Sequence, residues 1–266
     1  MIKLAAADMD GTLLDSSHNI PAETAETVLA LEKKGIKFAA ASGRQYYSLK
    51  NLFDSIGISG HMIFMAENGG IIYENDKVLH MDPLPVEMVK EFIGVLSDMP
   101  DVRILLSGAR SAYIKKGSID RGFGFNADLY CGRLEQVDDL YAAAESDDII
   151  KIAVYDRDAE HGCYPALKKY NDRCNVVLSN VQWVDIVAKT VSKGNGLRHI
   201  AEHMGIGSEE VMAFGDYMND YDMIKYAGES YAMANGHPDL IAAAKHTAPS
   251  NDEHGVIRVL EQLLSE

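Results

Sequence analysis

Four short polar segments of the sequence suit metal and phosphate chemistry, and each lies beside an apolar run. They are Asp8-Met9-Asp10, Ser42-Gly43-Arg44, Lys193 at the start of a helical segment, and Gly215-Asp216-Tyr217-Met218-Asn219-Asp220. Carboxylates this close together repel one another unless a cation or a proton lies between them. Aspartate oxygens are ligands that Mg²⁺ accepts together with waters and a substrate phosphate. The residue types therefore predict a site for Mg²⁺ and a phosphorylated ligand.

These segments can meet only if the chain brings several strand ends to one edge of a sheet. Apolar runs of strand length occupy residues 4–7, 36–41, 62–66 and 211–214. Segments with helical spacing separate them, and such alternation predicts a parallel sheet covered by helices. Sheets of this kind bind ligands at the carboxyl ends of their strands. Asp8 and Asp10 also stand two residues apart, so on an extended strand their side chains would face the same way.

A change of pattern near Asp82-Pro83-Leu84-Pro85 predicts a second domain. Short strands and helices follow in an α+β order, and the parallel pattern resumes where Ser192 caps a helix. We therefore expect an α/β protein with a Rossmann-like parallel-sheet core, residues 1–83 and 189–266, and an inserted α+β cap domain, residues 84–188. The insert is interpreted as a lid that excludes water and contacts the leaving group, with inert bulk as the alternative. Its candidate substrate contacts are Arg110, Tyr113 and Arg121.

The amino-acid composition limits the kinds of binding partner and the cellular compartment that we expect for the protein. Acidic residues outnumber basic ones by 40 to 25, and a net charge of -15 should repel nucleic-acid backbones and anionic lipid. Neither a nucleic acid nor a membrane is therefore an expected partner. The 3 cysteines are odd in number and include no CxxC pair, which is typical of a reducing compartment. Since the sequence has no signal-peptide pattern and no apolar run of roughly 18 residues, we expect a cytoplasmic protein.

Taken in order, the motifs resemble those of the haloacid dehalogenase-like (HAD) phosphatases. The matching stretches are Asp8-Met9-Asp10-Gly11-Thr12-Leu13-Leu14, Ser42-Gly43-Arg44, Lys193-Gly194 and Gly215-Asp216-Tyr217-Met218-Asn219-Asp220. The insert is similar to the large α/β (C2-type) cap of the Cof-type subfamily, so the resemblance spans essentially the whole chain. It implies a HAD core fold and a phosphoric monoester hydrolase that works through an aspartyl phosphate.

The resemblance also implies a role for each motif residue. Asp8 would be the nucleophile, and Asp10 the general acid that protonates the leaving alcohol and later deprotonates water. The residues expected to hold Mg²⁺ are Asp8, Asp10 through its main-chain carbonyl, and Asp216. Those expected to bind phosphate are Met9, Ser42, Gly43, Lys193 and Asn219. Thr12 would steady Asp10 by a hydrogen bond, and Asp220 would orient Lys193 or a water on the metal.

Arg44 has two interpretations, because it either binds the leaving group of the substrate or pairs with an acidic neighbour. The function that the motif set favours is Mg²⁺-dependent hydrolysis of small phosphorylated metabolites, with sugar phosphates as the expected substrates. A phosphomutase or phosphotransferase is the nearest alternative, because the same aspartyl phosphate could pass its group to a second sugar. The alternative from another class is a phosphate-binding or phospho-aspartate signalling module without turnover.

Overall fold

The computed structural model of the protein describes residues 1–99, 101–119 and 131–265. The chain divides into a core unit, Met1–His80 with Ser192–Glu266, and a cap unit, Met81–Val191. Within the described ranges the core unit is built on an eight-stranded sheet and the cap unit on a six-stranded one. The predicted fold class, α/β with a second sheet in the insert, is therefore confirmed. In the same ranges, no helix has the length and apolar character that a membrane crossing requires.

Strands and helices alternate along the chain. The strands are β1 (Leu4–Asp8), β2 (Lys37–Ala41), β3 (Met62–Ala66), β4 (Ile71–Glu74), β5 (Lys77–Met81), β6 (Arg103–Gly108), β7 (Ala112–Lys115), β8 (Leu134–Val137), β9 (Ile149–Tyr155), β10 (Asn175–Asn180), β11 (Trp183–Val187), β12 (Val211–Gly215), β13 (Glu229–Met233) and β14 (His246–Ala248). The helices are α1 (Thr24–Lys33), α2 (Tyr46–Asp54), α3 (Val86–Ser97), α4 (Leu140–Ser146), α5 (Cys163–Leu167), α6 (Lys193–Met204), α7 (Tyr221–Tyr226), α8 (Pro238–Ala243) and α9 (Gly255–Ser265).

The core sheet is mostly parallel, with β1 in its interior. Its strand order is β14-β13-β12-β1-β2-β3-β4-β5, and β1 pairs in parallel with both β2 and β12. Every residue of β1 is buried, which explains its continuous apolar run. Beyond the antiparallel pair of β3 and β4, a hairpin leads from β4 to β5. Its turn residues Asn75 and Asp76 have φ of 51° and 60°, the left-handed values that a two-residue hairpin turn favours.

The cap unit has an apolar core on one face of its sheet. The strand order is β10-β11-β9-β6-β7-β8, in which β7 and β8 run parallel and the other pairs antiparallel. Leu106, Ile152 and Val184, from three different strands, belong to one apolar cluster with Phe92 of α3. Leu105, the residue before Leu106 in β6, belongs to a second and smaller apolar cluster. Successive residues of a strand face opposite sides, so the sheet has a large and a small apolar face.

Among the helices and strands of the described residues, three short ones are not predicted by the sequence patterns, namely β8, α4 and β14. They have 4, 7 and 3 residues respectively. A strand or helix of this length shows too few repeats for its hydrophobic period to be recognised. None of the four residues of β8 is buried and two are exposed, so no apolar alternation marks the strand.

Phe64 in β3 gives a test of the core. Its side chain is 2% exposed, and its ring lies edge-on to Tyr46 and Phe53 at centroid distances of 5.6 and 5.8 Å. Phe64→Ala should lower the free energy of unfolding by about 3–5 kcal/mol, because the lost ring leaves a cavity. Equilibrium urea unfolding followed by circular dichroism measures the loss. The control is Val78→Ala, at a 45% exposed position of β5. An equal loss in both variants would contradict the position of Phe64 in the core.

Candidate active site

The candidate active site lies at the carboxyl edge of the core sheet. Asp8 is the last residue of β1, and β1 lies between β2 and β12. The segments that follow these two neighbours carry Ser42 and Asp216 respectively, and Lys193 is the first residue of α6. The topology therefore brings segments that are far apart in sequence to one edge.

Lys193 is fully buried, and its ammonium lies between two carboxylates. Nζ donates hydrogen bonds to Oδ1 of Asp8 and to Oδ1 of Asp220, the latter at 2.6 Å. Ser192 caps α6 as predicted, because its Oγ accepts from the Asn195 amide at 3.2 Å. Burial by itself lowers the pKa of Lys193, but the charges of Asp220 and Asp8 outweigh burial and the net shift is upward. The lysine therefore stays positively charged inside the site.

Three carboxylates form an acidic cluster next to this ammonium. Oxygens of Asp8, Asp216 and Asp220 lie within 4.8 Å of one another. Burial raises the pKa of Asp8 well above its usual range, the charge of Asp220 adds to the rise, and Lys193 opposes it. Burial also raises the pKa of Asp216, against a hydrogen bond from Thr12. Negative charge is thus in excess in this space, and an oxygen-liganded divalent cation would offset it. The donor set fits Mg²⁺.

Asp220 has hydrogen-bond partners at both of its carboxylate oxygens. Oδ1 accepts from Lys193, and Oδ2 accepts from the main-chain amides of Asp216 and Tyr217 at 3.0 and 3.2 Å. Gly215 permits this approach, since a Cβ there would stand 2.5 Å from the Asp220 Cβ. Asp220 therefore holds the lysine and the loop of Asp216 in place.

The turn after β1 depends on Gly11 and Thr12. Gly11 has a φ of 83°, in the left-handed region that favours glycine, and a Cβ there would stand 2.5 Å from Oδ2 of Asp216. The Thr12 hydroxyl donates to Oδ1 of Asp216 at 2.8 Å. This contact corrects the expected hydrogen bond from Thr12 to Asp10, because a hydroxyl has a single proton to donate. The turn thus fixes the carboxylate of Asp216.

The Asp10 carboxylate has different partners from that of Asp8. Arg44 donates from Nη2 to Oδ1 at 2.5 Å and from Nε to Oδ2 at 3.0 Å. Nδ1 of His18 lies 3.0 Å from the same Oδ1. The same-face rule for strands does not govern the pair, because β1 ends at Asp8. Of the two interpretations of Arg44, the structure contains the ion pair with an acidic neighbour.

The phosphate-binding candidates of the first two motifs lie in tightly packed loops. Met9 buries its side chain completely, so a phosphate could meet only its main chain. Ser42 is 2% exposed, and its Oγ accepts from the Arg44 amide at 3.2 Å. A Cβ at Gly43 would come within 3.1 Å of Nδ2 of Asn68. The glycine therefore lets the Asn68 side chain approach the motif.

The sequence patterns do not identify three asparagines in or beside the site. Asn68 accepts at Oδ1 from Nδ2 of Asn219 at 3.4 Å. Asn235 donates to the Gly11 carbonyl at 2.8 Å and accepts at Oδ1 from the Asn251 amide at 3.0 Å. The sequence Asn68-Gly69-Gly70 is typical of a turn, which agrees with the left-handed φ of 56° at Asn68, but it does not indicate the partner of the side chain. No signal in the sequence indicates Asn235 or Asn251, because their partners lie in distant loops.

Two of the three candidate substrate contacts of the insert, Arg110 and Tyr113, form hydrogen bonds within the cap unit itself. The Tyr113 hydroxyl donates to Oδ2 of Asp147 at 2.9 Å, and Arg110 bonds Asp147 through its amide and its Nε. Burial and the hydrogen bond to Asp147 raise the pKa of Tyr113 to about 12, so its hydroxyl remains a donor. Arg121 lies outside the described residues.

Comparison with known proteins agrees with this site. The family model for haloacid dehalogenase-like hydrolase matches residues 5–260. The chain is 33% identical over 273 residues to 5-amino-6-(5-phospho-D-ribitylamino)uracil phosphatase YbjI of Escherichia coli, covering 99% of this chain and 96% of that protein. A solved structure from Eubacterium rectale is 32% identical with a TM-score of 0.89, covering 98% of this chain and 99% of that one. The HAD subclass IIB sugar phosphatase BT4131 shares the fold, with a TM-score of 0.81 at 23% identity over 98% of each chain.

The chain belongs to the haloacid dehalogenase-like hydrolase family. Within that family it is a phosphatase. The family and the enzyme class that the motifs predict are therefore confirmed.

Substitution of Gly11 should separate backbone strain from damage to the site. Gly11 and Gly35 have φ of 83° and 77°, so alanine at either position costs roughly 1–2 kcal/mol. A new Cβ at Gly11 meets Oδ2 of Asp216, whereas a Cβ at Gly35 meets nothing within 4 Å. We expect both variants to lose thermal stability through backbone strain, and only Gly11→Ala to lose activity, on the order of 10²-fold. Melting curves and steady-state kinetics measure the two effects. Equal activity in the two variants would contradict the close approach of Gly11 to Asp216.

Proposed function

We propose that the protein is a Mg²⁺-dependent phosphatase for small phosphorylated metabolites, with sugar phosphates as its substrates. The observation that carries the proposal is the buried Lys193 ammonium between Asp8 and Asp220, with Asp216 beside them. A fixed positive charge next to a carboxylate suits attack on a phosphate dianion. YbjI is named for a substrate with its phosphate on a ribityl group, and BT4131 is a sugar phosphatase. Both names support a polyhydroxylated substrate.

Asp8 is the nucleophile of the first half-reaction. One carboxylate oxygen attacks phosphorus, the bond between phosphorus and the leaving oxygen breaks, and an aspartyl phosphate forms. Asp10 gives its proton to the leaving oxygen, so the organic product departs as an alcohol. Lys193 offsets negative charge on Asp8 and on the transferred group, which allows two anions to approach each other.

Asp10 acts in the opposite direction in the second half-reaction. Having lost its proton to the alcohol, it takes a proton from a water molecule. The water oxygen attacks phosphorus, the bond between phosphorus and the Asp8 oxygen breaks, and inorganic phosphate leaves. Asp8 is then again a carboxylate and Asp10 again an acid, so the cycle closes.

The metal and the phosphate would share the acidic cluster and the loops around it. Asp8, Asp216 and the main-chain carbonyl of Asp10 would hold Mg²⁺. When bound, the ion supplies positive charge that attracts phosphate oxygens and reduces repulsion among the carboxylates. The groups that would bind the phosphate oxygens are the amides of Met9 and Gly43, the Ser42 hydroxyl, and the side chains of Lys193 and Asn219.

Asp8→Asn should abolish turnover, because a neutral amide cannot accept the phosphoryl group. We expect wild type to release phosphate from members of a sugar-phosphate panel with Mg²⁺ and not with EDTA. The kcat of the variant should be lower by about 10⁴-fold or more. Asp54→Asn, which changes a surface ion pair with Lys50 on α2, should match wild type. Colorimetric phosphate release measures all three proteins.

Two results would count against these roles in different ways. Turnover by Asp8→Asn at the wild-type rate would remove Asp8 as the nucleophile. A folded wild-type protein that releases no phosphate from any member of the panel would overturn the proposed function as a whole.

Product analysis separates hydrolysis from phosphoryl transfer. Phosphorus NMR of a sugar phosphate incubated with the enzyme and Mg²⁺ should show inorganic phosphate as the growing product, because water is the expected acceptor. A growing signal from an isomeric sugar phosphate would instead indicate a phosphomutase. An aspartyl phosphate that persists for hours would indicate a signalling module, since Asp10 is expected to hydrolyse it quickly.

A further inference from the structure

Two side chains of different character contact the Asp10 carboxylate. The side chain of Arg44 is 7% exposed, and its guanidinium donates to both carboxylate oxygens. Such two-point pairing fixes the relative orientation of the two groups. His18 is 56% exposed and contacts Oδ1 alone, at 3.0 Å from Nδ1. No motif of the sequence includes His18, and the mechanism above does not use it.

The main chain holds His18 in position for this contact. Its φ is 61°, and its amide donates to the Asp15 carbonyl at 2.9 Å. The Asp15 carboxylate accepts from the amides of Ser17 and Asn19 at 2.9 and 2.8 Å, which makes an Asx turn around position 18. A left-handed residue other than glycine costs about 1–2 kcal/mol, and these bonds offset the cost. The hydrogen-bonded turn thus fixes the main chain from which the His18 ring reaches Asp10.

The two carboxylate oxygens of Asp10 differ in their number of hydrogen-bond partners. An oxygen of a carboxylate accepts about two hydrogen bonds through its lone pairs. Oδ1 has two partners, Nη2 of Arg44 and Nδ1 of His18. Among the residues that the structure describes, Oδ2 has only Nε of Arg44. Oδ2 therefore keeps a lone pair that can exchange a proton.

We propose that His18 is a positioning residue for the acid and base steps of the reaction. Together with Arg44 it occupies Oδ1 of Asp10 and leaves Oδ2 to give and take the proton. The inference rests on the proposed function, in which Asp10 is the proton carrier. Without His18 the carboxylate loses one of the two donors that fix Oδ1, so Asp10 samples orientations in which Oδ2 no longer reaches the leaving oxygen. The loss falls on substrates whose leaving group must be protonated.

Two substitutions at position 18 distinguish the effect of the imidazole ring from the effect of its N–H donor. His18→Gly removes both, and His18→Asn keeps an N–H donor the same number of bonds from Cα as Nδ1. Both new residues tolerate the left-handed backbone. Each protein is assayed for kcat/KM on the sugar phosphate that wild type hydrolyses best and on 4-nitrophenyl phosphate, whose leaving group departs as a stable anion. The ratio kcat/KM excludes steps after the first bond cleavage, so the later hydrolysis does not enter.

We expect His18→Gly to lower kcat/KM about tenfold for the sugar phosphate and less than about twofold for 4-nitrophenyl phosphate. His18→Asn should recover most of the loss. The matched control is His61→Ala, which removes another half-exposed histidine, one paired with Glu32 at 2.7 Å. It should change neither value.

The outcomes distinguish the positioning role from the proposed function. Equal losses on both substrates, no loss on either, or no recovery in His18→Asn would overturn the role of His18. A wild-type protein that hydrolyses neither phosphate would overturn the proposed function instead.

Discussion

The buried ammonium of Lys193 is the contact on which the rest of the site depends. Its two carboxylate partners come from segments far apart in the chain, Asp8 at the end of β1 and Asp220 after β12. Moving a single ion into a protein interior costs several kcal/mol, so none of these charges would be stable there alone. Each is tolerated because the others are present. The charges that the proposed mechanism needs can therefore be buried only when they lie next to one another.

Two glycines allow the loops around this charge cluster to approach closely. Gly11 lies against the Asp216 carboxylate, and Gly215 lies against Asp220, each at a distance that a Cβ would not allow. Glycine loses more conformational entropy on folding than other residues. The two glycines therefore allow the close approach in the site but lower the local stability of the fold. Asp220 then ties the loop back to the lysine through its amide contacts. Charge and close approach thus act on the same few residues.

The sequence predicts the frame of the fold because its signals there are local. Apolar runs indicate β1, β2, β3 and β12, Ser192 indicates the start of α6, and their order indicates a common edge. Contacts between loops are a different matter. The hydroxyl of Thr12 reaches Asp216, and Asn235 reaches the Gly11 carbonyl, through pairings that spacing along the chain does not contain. The motif residues could therefore be named from the sequence, whereas several of their hydrogen-bond partners could not.

The two aspartates of the first motif show how one short segment gives identical side chains different surroundings. Asp8 ends β1 against Lys193, where burial raises its pKa. Asp10 lies beyond the strand, 34% exposed and paired with Arg44. In the proposed mechanism Asp8 is the nucleophile, which has to be shielded and aligned, and Asp10 is the proton carrier, which has to reach both substrate and water. Since β1 ends at Asp8 and Gly11 turns the chain in the left-handed region, both surroundings become available within two residues. The proposed chemistry therefore depends on the glycine that follows the second aspartate as well as on the two carboxylates.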